Sequence, residues 1–139
     1  MGILVTGGAG FIGSHLVAEL LRLGYEVVVL DDLSTGSLGN LRGLLGSVEF
    51  VKGDVRDYGV VEGVAEKAEA VVHLAALIDV AESVEKPDLY FDVNVLGTYN
   101  VAKASRNTSV LVYASSSAVY GEPVETPIRE DHPLTSSPP

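Results

Sequence analysis

Residues 3–13 read Ile3-Leu4-Val5-Thr6-Gly7-Gly8-Ala9-Gly10-Phe11-Ile12-Gly13, a short apolar run that breaks into glycines and restarts as an apolar helix. Gly7, Gly10 and Gly13 stand in a Gly-x-x-Gly-x-x-Gly spacing. Glycine suits such a strand-to-helix turn because the turn demands unusual dihedrals, a bound group must approach the backbone, and helix must pack on strand. The free amides that open the helix then face an anion, and a diphosphate fits that arrangement. An unliganded turn also favours glycine, so the weight comes from context. A strand precedes the loop, an apolar helix follows it, and Asp31 closes the next strand.

Asp31 lies beyond the first glycine at a distance close to the roughly 20 residues at which a carboxylate meets the adenosine ribose of a dinucleotide. It accepts hydrogen bonds from both ribose hydroxyls. A 2′-phosphate at that place would face Asp31, with Asp32 beside it and no obvious arginine nearby, so the expected cofactor is NAD rather than NADP. Asp32 has two open readings, a second ribose contact or a solvated loop acid.

Outward from this loop, short β-branched runs alternate with helical patterns, a rhythm that predicts βαβ units and a parallel sheet buried on both faces. The candidate strands are 2–6, 26–30, 48–52, 70–74 and 109–114. Ile12, Leu16 and Leu20 recur at helical spacing between Phe11 and Leu23, and Gly24 can turn left-handed at the end. Residues 34–47 read as a loop with a short helix, and 57–66 as a weak helix opened by Asp57. From Pro87 to Arg106 one stripe is Leu89, Val93 and Leu96, and another is Phe91, Val95, Tyr99 and Ala102. Two apolar stripes need two partners, the sheet and a second subunit. Beyond Ala114 the texture becomes Ser, Pro, Glu and Thr with little periodicity, an irregular tail.

Composition narrows the function classes. The 139 residues suit one cored domain: 1–114 as the dinucleotide-binding part and 115–139 as a serine segment and tail of the same domain. A formal net charge of −10 with nine scattered Lys and Arg argues against a nucleic-acid surface. There is no cysteine, and His15, His73 and His132 are dispersed, so no metal site is expected. No apolar run approaches the roughly 18 residues of a membrane span, and Met1 leads straight into a strand without a basic leader. The expected location is cytoplasmic.

With its glycine spacing and five further segments, the chain resembles the extended short-chain dehydrogenase/reductase family, and within it the nucleotide-sugar epimerases of the UDP-glucose (UDP-galactose) 4-epimerase type. Asp31-Asp32-Leu33-Ser34-Thr35-Gly36 is similar to the family's ribose loop, and Gly53-Asp54-Val55-Arg56-Asp57 to the stretch whose acid reads the adenine edge. His73-Leu74-Ala75-Ala76-Leu77 resembles the fourth-strand motif beside the nicotinamide half. Asn94-Val95-Leu96-Gly97-Thr98-Tyr99-Asn100-Val101 resembles the helix whose asparagine steadies that strand, and Ala114-Ser115-Ser116-Ser117-Ala118-Val119-Tyr120-Gly121 the active-site serine segment. The resemblance implies an α/β fold: a three-layer, Rossmann-like, doubly wound parallel sheet of about five strands, incomplete relative to the family. It implies NAD held by Gly7, Gly10, Phe11, Ile12, Gly13, Asp31, Asp32, Ser34, Thr35, Gly36, Asp54, Val55, Leu74, Ala75, Ala76, Asn94 and Ala114. It makes Ser116 the catalytic serine, with Ser117 the runner-up, and places Ser117 and Tyr120 toward a UDP-sugar.

In such epimerases a sugar is transiently oxidised at C4 and the hydride returns to the opposite face. A tyrosine in a Tyr-x-x-x-Lys pair serves as acid/base, its usual pKa of about 10 lowered by the lysine and the oxidised nicotinamide. Tyr99 and Lys103 have that spacing but precede the serine segment, so they are read as a packing residue and a solvated one; Tyr120 is followed at the fourth position by Val124. The expectation is a chain that stops short of the pair and shows no epimerase activity alone. Losing a positioned acid/base typically costs about 10²- to 10⁴-fold. The alternatives are a stand-alone NAD-binding or sensing module, a nucleotide-sugar decarboxylase or dehydratase fragment, or a subunit completed by another chain. Dehydratases of the family carry Thr-Asp-Glu where this chain has Ser116-Ser117-Ala118. Strand 109–114 is expected at an open edge, which with the second helical stripe predicts a homo-oligomer. His73 is read as a core histidine and His15 as solvated; Asp79 either faces the sugar or caps a turn starting at Val80.

Overall fold

The structure is a computed structural model that describes residues 2–135. Met1 and the last four positions of the tail, Ser136–Pro139, lie outside the described residues.

Five parallel strands form one sheet: β1 (Gly2–Thr6), β2 (Glu26–Asp31), β3 (Val48–Lys52), β4 (Ala70–His73) and β5 (Val110–Tyr113). Their order is β3-β2-β1-β4-β5. The chain winds outward from β1 through β3, then crosses back to β4 on the other side of β1. That reversal opens a crevice beyond the carboxyl ends of β1 and β4, the place where open α/β sheets take ligands.

Alternate strand residues feed two separate cores. Ile3, Val5, Val27 and Val29 pack with Ala9, Val17 and Leu41 on the face covered by α1 (Phe11–Arg22). Leu4, Leu30 and Val71 pack with Val55, Val61, Val64 and Val101 on the face covered by α2 (Tyr58–Ala65) and a long helical stretch. This is the three-layer, Rossmann-like arrangement. The strands fall where the β-branched runs predict, within a residue at each end.

Local chemistry sets the helix ends. Asp57 Oδ1 accepts from the Gly59 and Val60 amides at 3.0 and 3.2 Å and so starts α2. At the end of α1, Gly24 takes φ +86 while the Gly24 and Tyr25 amides donate to the Leu21 and Leu20 carbonyls, satisfying the last turn. The segment 34–47 contains the expected short helix, a 3₁₀ turn at Leu38–Leu41 whose Leu41 is fully buried. A six-residue helix, α3 (Val80–Glu85), is added to the expected elements, capped by Asp79 Oδ1 accepting from the Glu82 amide at 2.9 Å.

The helix expected over 87–106 consists of α4 (Pro87–Phe91), a π-helical turn (Asp92–Gly97) and α5 (Thr98–Ala104). The wider turn changes one stripe. Val93 packs on the core as expected, but Leu96 is 44% exposed, because a π turn holds more residues per revolution and rotates Leu96 away from Val93. Gly97 lies against Val55, where a Cβ would come within 2.6 Å of Val55 Cγ2. The second stripe stays uncovered: Phe91, Val95 and Tyr99 are 55, 49 and 62% exposed. β5 occupies a sheet edge with all four of its residues exposed.

The described part of the tail, residues 115–135, carries local structure. A 3₁₀ turn spans Ser117–Tyr120, the ring of buried His132 meets Tyr120 edge-on, and Val124 N–H donates to His132 Nε2 at 3.0 Å. No helix among the described residues is long and apolar enough to cross a membrane.

Candidate dinucleotide site

β1 delivers the chain to Gly7, whose φ of +70 turns it out of the sheet. A Cβ on Gly7 would lie 2.7 Å from the Ala75 amide nitrogen, and one on Gly13 would collide with the Gly7 carbonyl. The loop therefore lies flat on the strand ends, leaving space above it. Gly10 precedes α1 and has no side chain to cap it. The amides of Phe11, Ile12 and Gly13 thus have no acceptor within the helix and carry its positive dipole end. Such a cradle fits a diphosphate.

Above the loop is a cleft of about 490 Å³. It runs from Gly7, Gly10, Phe11, Ile12 and Gly13 past Asp31, Asp32, Ser34, Thr35 and Gly36, along Asp54 and Val55, to Leu74, Ala75, Ala76 and Ala114. These are all the residues assigned to the cofactor in the sequence except Asn94. Leu30, Gly53, Leu77, Ile78, Val93 and Ser115 complete the lining.

Asp31 is buried and its two oxygens are already oriented. Oδ2 accepts from the Ala9 N–H at 2.9 Å and Oδ1 from the Leu33 N–H at 2.9 Å. Each carboxylate oxygen has a further lone pair for a ribose hydroxyl. Asp32 is exposed and accepts from the Ser34 amide and hydroxyl at 2.8 and 2.7 Å, which shapes the loop while its residue still lines the cleft. The expectation of no arginine nearby needs correction, because the charges of Asp54 and Asp32 both act on Arg56. Arg56 Nε donates to Asp54 Oδ2 at 2.9 Å, and the guanidinium holds the Asp54 carboxyl below the ordinary carboxylate range.

Asn94 faces a second cavity of about 380 Å³, which shares Leu74–Ile78, Ala114 and Ser115 with the first and extends to Ser83, Tyr90 and Ser116. Ser116 is exposed, and its Oγ accepts from the Ala118 amide at 3.2 Å. Asp79 both caps α3 and lines this cavity. Burial, together with Glu82, pushes the Tyr90 phenol above its usual pKa. Ser117 is exposed, and Tyr120 packs on His132; neither lines these two cavities.

His73 lines the second cavity, buried and bonded on both sides. The Thr6 hydroxyl lies 2.6 Å from Nδ1, and Nε2 lies 2.9 Å from Thr98 Oγ1, which itself donates to the Asn94 carbonyl at 2.7 Å. Since Thr98 has spent its proton, His73 donates from Nε2 and accepts at Nδ1. Burial draws its pKa down to about 4, so the ring is neutral near pH 7. This is a core histidine, as the sequence reading has it. Lys103 is tied up elsewhere, its ammonium 4.1 Å from the centroid of the Tyr58 ring, and the Tyr99 ring is exposed. Asn40, Arg56 and Tyr90 shape the site without a sequence signal that marks them; of these only Arg56 stands inside a quoted motif.

A family model described as the NAD dependent epimerase/dehydratase family matches residues 3–139. A putative UDP-glucose 4-epimerase of Methanocaldococcus jannaschii is 47% identical over 136 residues, covering 95% of this chain and 44% of that protein. Among solved structures, a UDP-glucose-4-epimerase from Stenotrophomonas maltophila with bound NAD and formylated UDP-arabinopyranose superposes with a TM-score of 0.89 at 34% identity, covering 99% of this chain and 43% of that one. A UDP-glucose 4-epimerase from Brucella ovis in complex with NAD gives 0.86 at 40% identity, covering 98% and 42%. The chain thus spans less than half the length of these relatives.

Proposed function

This chain belongs to the NAD dependent epimerase/dehydratase family, and from that premise we propose that it is the NAD-holding portion of a UDP-hexose 4-epimerase. The observation that carries the proposal is the continuity of the cleft. One wall, Leu74–Ile78 with Ala114 and Ser115, serves both the space above the glycine loop and the space beside Ser116.

In this reading the amides of Phe11–Gly13 bind the diphosphate and Asp31 accepts the adenosine ribose hydroxyls. Asp54 stands at the adenine end, and Leu74–Ala76 flank the nicotinamide half. NAD held there would supply the hydride acceptor and donor for the sugar C4. Ser116 Oγ hydrogen-bonds the reacting hydroxyl, and Ser117 and Tyr120 belong to the substrate side of the same segment. A 2′-phosphate would meet Asp31 and Asp32, while Arg56 is engaged by Asp54; this favours NAD over NADP.

The acid/base is a separate matter. The one Tyr-x-x-x-Lys spacing in these 139 residues is Tyr99 and Lys103, and Lys103 packs on Tyr58. We therefore read the polypeptide of these residues as binding NAD without turning over UDP-sugar by itself. Calorimetry with NAD and NADP, alongside a coupled assay with UDP-galactose, tests both statements. The expected result is NAD binding with turnover at the blank. Absence of NAD binding overturns the first statement, and turnover above the blank the second. We also read the uncovered Phe91, Val95 and Tyr99 face as a seam between two copies of the chain.

A further inference from the structure

The glycine loop is joined to the segment after β2 through one residue, Ala9. Its N–H donates to Asp31 Oδ2 at 2.9 Å, and its carbonyl accepts from the Ser37 N–H at 3.0 Å and from Asn40 Nδ2 at 2.8 Å. Both lone pairs of that carbonyl are engaged, and the Ala9 side chain is fully buried. Asn40 belongs to the 3₁₀ turn Leu38–Leu41, which is fastened to the core by Leu41 and started by Ser37 Oγ accepting from the Gly39 N–H at 3.1 Å. Gly36 closes the joint from the other side: a Cβ there would lie 2.9 Å from Asp31 Oδ1 and 3.0 Å from the Ala9 carbonyl carbon.

We infer that Asn40 is a positioning residue for dinucleotide binding, acting through Ala9. It is exposed and absent from the lining of the cleft, so it does not touch the ligand. Its amide fixes the direction of the Ala9–Gly10 peptide, and that peptide leads directly into the three amides that open α1. The Ser37 donor is backbone and survives most substitutions; the Asn40 donor is a side chain and is the removable half of the grip. Asp31 keeps its second hold from the Leu33 N–H whether or not Asn40 is present. Loss of Asn40 therefore falls on the diphosphate subsite and spares the adenosine subsite. The inference rests on the reading of the cleft as an NAD site and adds to it a residue outside the cleft.

Two variants of the full chain test it, with calorimetry against NAD, ADP and adenosine and with amide exchange of the ligand-free protein. Asn40→Ala deletes the donor. Asn40→Asp keeps the shape but turns an acceptor oxygen toward a carbonyl. One hydrogen bond of this kind is worth about tenfold in affinity. NAD and ADP should weaken by about that factor in Asn40→Ala and by more in Asn40→Asp, with adenosine changed less than about twofold. The Ala9 amide should exchange faster in both ligand-free variants, while the amides of α2 stay unchanged. Wild-type ADP affinity in Asn40→Asp, an equal loss for adenosine and ADP, or unchanged Ala9 exchange would each overturn the inference. If the parent chain binds neither NAD nor ADP, the NAD reading falls, while Ala9 exchange still decides whether Asn40 positions the loop.

Discussion

The Asn94 side chain closes on both polar groups of Leu77: the Leu77 N–H donates to Oδ1 at 2.9 Å and Nδ2 donates to the Leu77 carbonyl at 2.9 Å. This clasp fastens the wall shared by the two cavities to the π-helical turn. The neighbouring positions of the same helix extend the fastening. Thr98 meets His73, and Asn100 Nδ2 donates to the Val55 and Arg56 carbonyls at 3.1 and 3.0 Å.

Asn94→Ala leaves a half-buried N–H and C=O without their partner, a loss of about 1–3 kcal/mol in unfolding free energy. NAD affinity should fall with it, because the wall that continues from Leu74–Ala76 into Leu77 is no longer fastened to the π-helical turn. Urea unfolding and calorimetry measure the two effects. A variant as stable as the parent within about 0.3 kcal/mol would show that the clasp is dispensable.

The buried His73 gives stability a defined pH dependence. Its pKa is about 4 when folded, below the ordinary 6.5. Between those values the unfolded chain binds the extra proton, so this contribution is complete above pH 6.5 and is lost as pH falls toward 4. By pH 5.5 the loss should be about 1 kcal/mol, and it cannot exceed about 3 kcal/mol. In His73→Asn that component disappears, so the stability gap between parent and variant should narrow by about 1 kcal/mol from pH 7.5 to pH 5.5 in urea unfolding. A gap of constant size over that range would mean that the ring titrates alike folded and unfolded.

Much of this architecture is legible in the sequence because its signals are local. Val27-Val28-Val29-Leu30 can be read as a buried parallel strand, and Asp57 as a cap, without knowledge of what they touch. The glycine loop is legible from its spacing and from the strand and helix that flank it, although Gly7 must also lack a side chain because Ala75, distant in sequence, lies against it. Leu96 misleads because a π turn breaks the period on which stripe counting depends. Asn40 acts through a partner brought close only by the tertiary fold, Ala9, 31 residues away, whereas Arg56 and Tyr90 bind the nearby Asp54 and Glu82 and only the fold carries those pairs to the cavities. The Tyr99 and Lys103 spacing shows the converse, a motif whose members point to different neighbours once folded.

Cofactor choice should follow the charges at the adenosine end. The parent chain should bind NAD at least about tenfold more tightly than NADP, since a 2′-phosphate brings further negative charge to Asp31 and Asp32. Asp31→Asn should weaken NAD and narrow that gap, because the amide repels the phosphate less and accepts fewer ribose hydrogen bonds. Calorimetry of both proteins with both nucleotides gives the four constants. Equal affinity of the parent for the two nucleotides would show that these acids do not face the 2′ position.

Self-association sets two forces against each other. The uncovered Phe91, Val95 and Tyr99 face offers apolar area along a helix, and the net charge of −10 repels a second copy at long range. Salt screens the repulsion over about 10 Å at 0.1 M and leaves apolar contact intact, so the dimer should strengthen from low to moderate ionic strength. An association led by ion pairs would weaken instead. The double variant Val95→Lys, Tyr99→Lys places two cations in the seam and should be monomeric where the parent is dimeric, with its α2 and β1 amides protected as before. Light scattering with a salt series reads the association, and amide exchange reads the protection. A parent chain that stays monomeric at high concentration and high salt removes the seam, and a double variant that still dimerises transfers it to the exposed edge of β5.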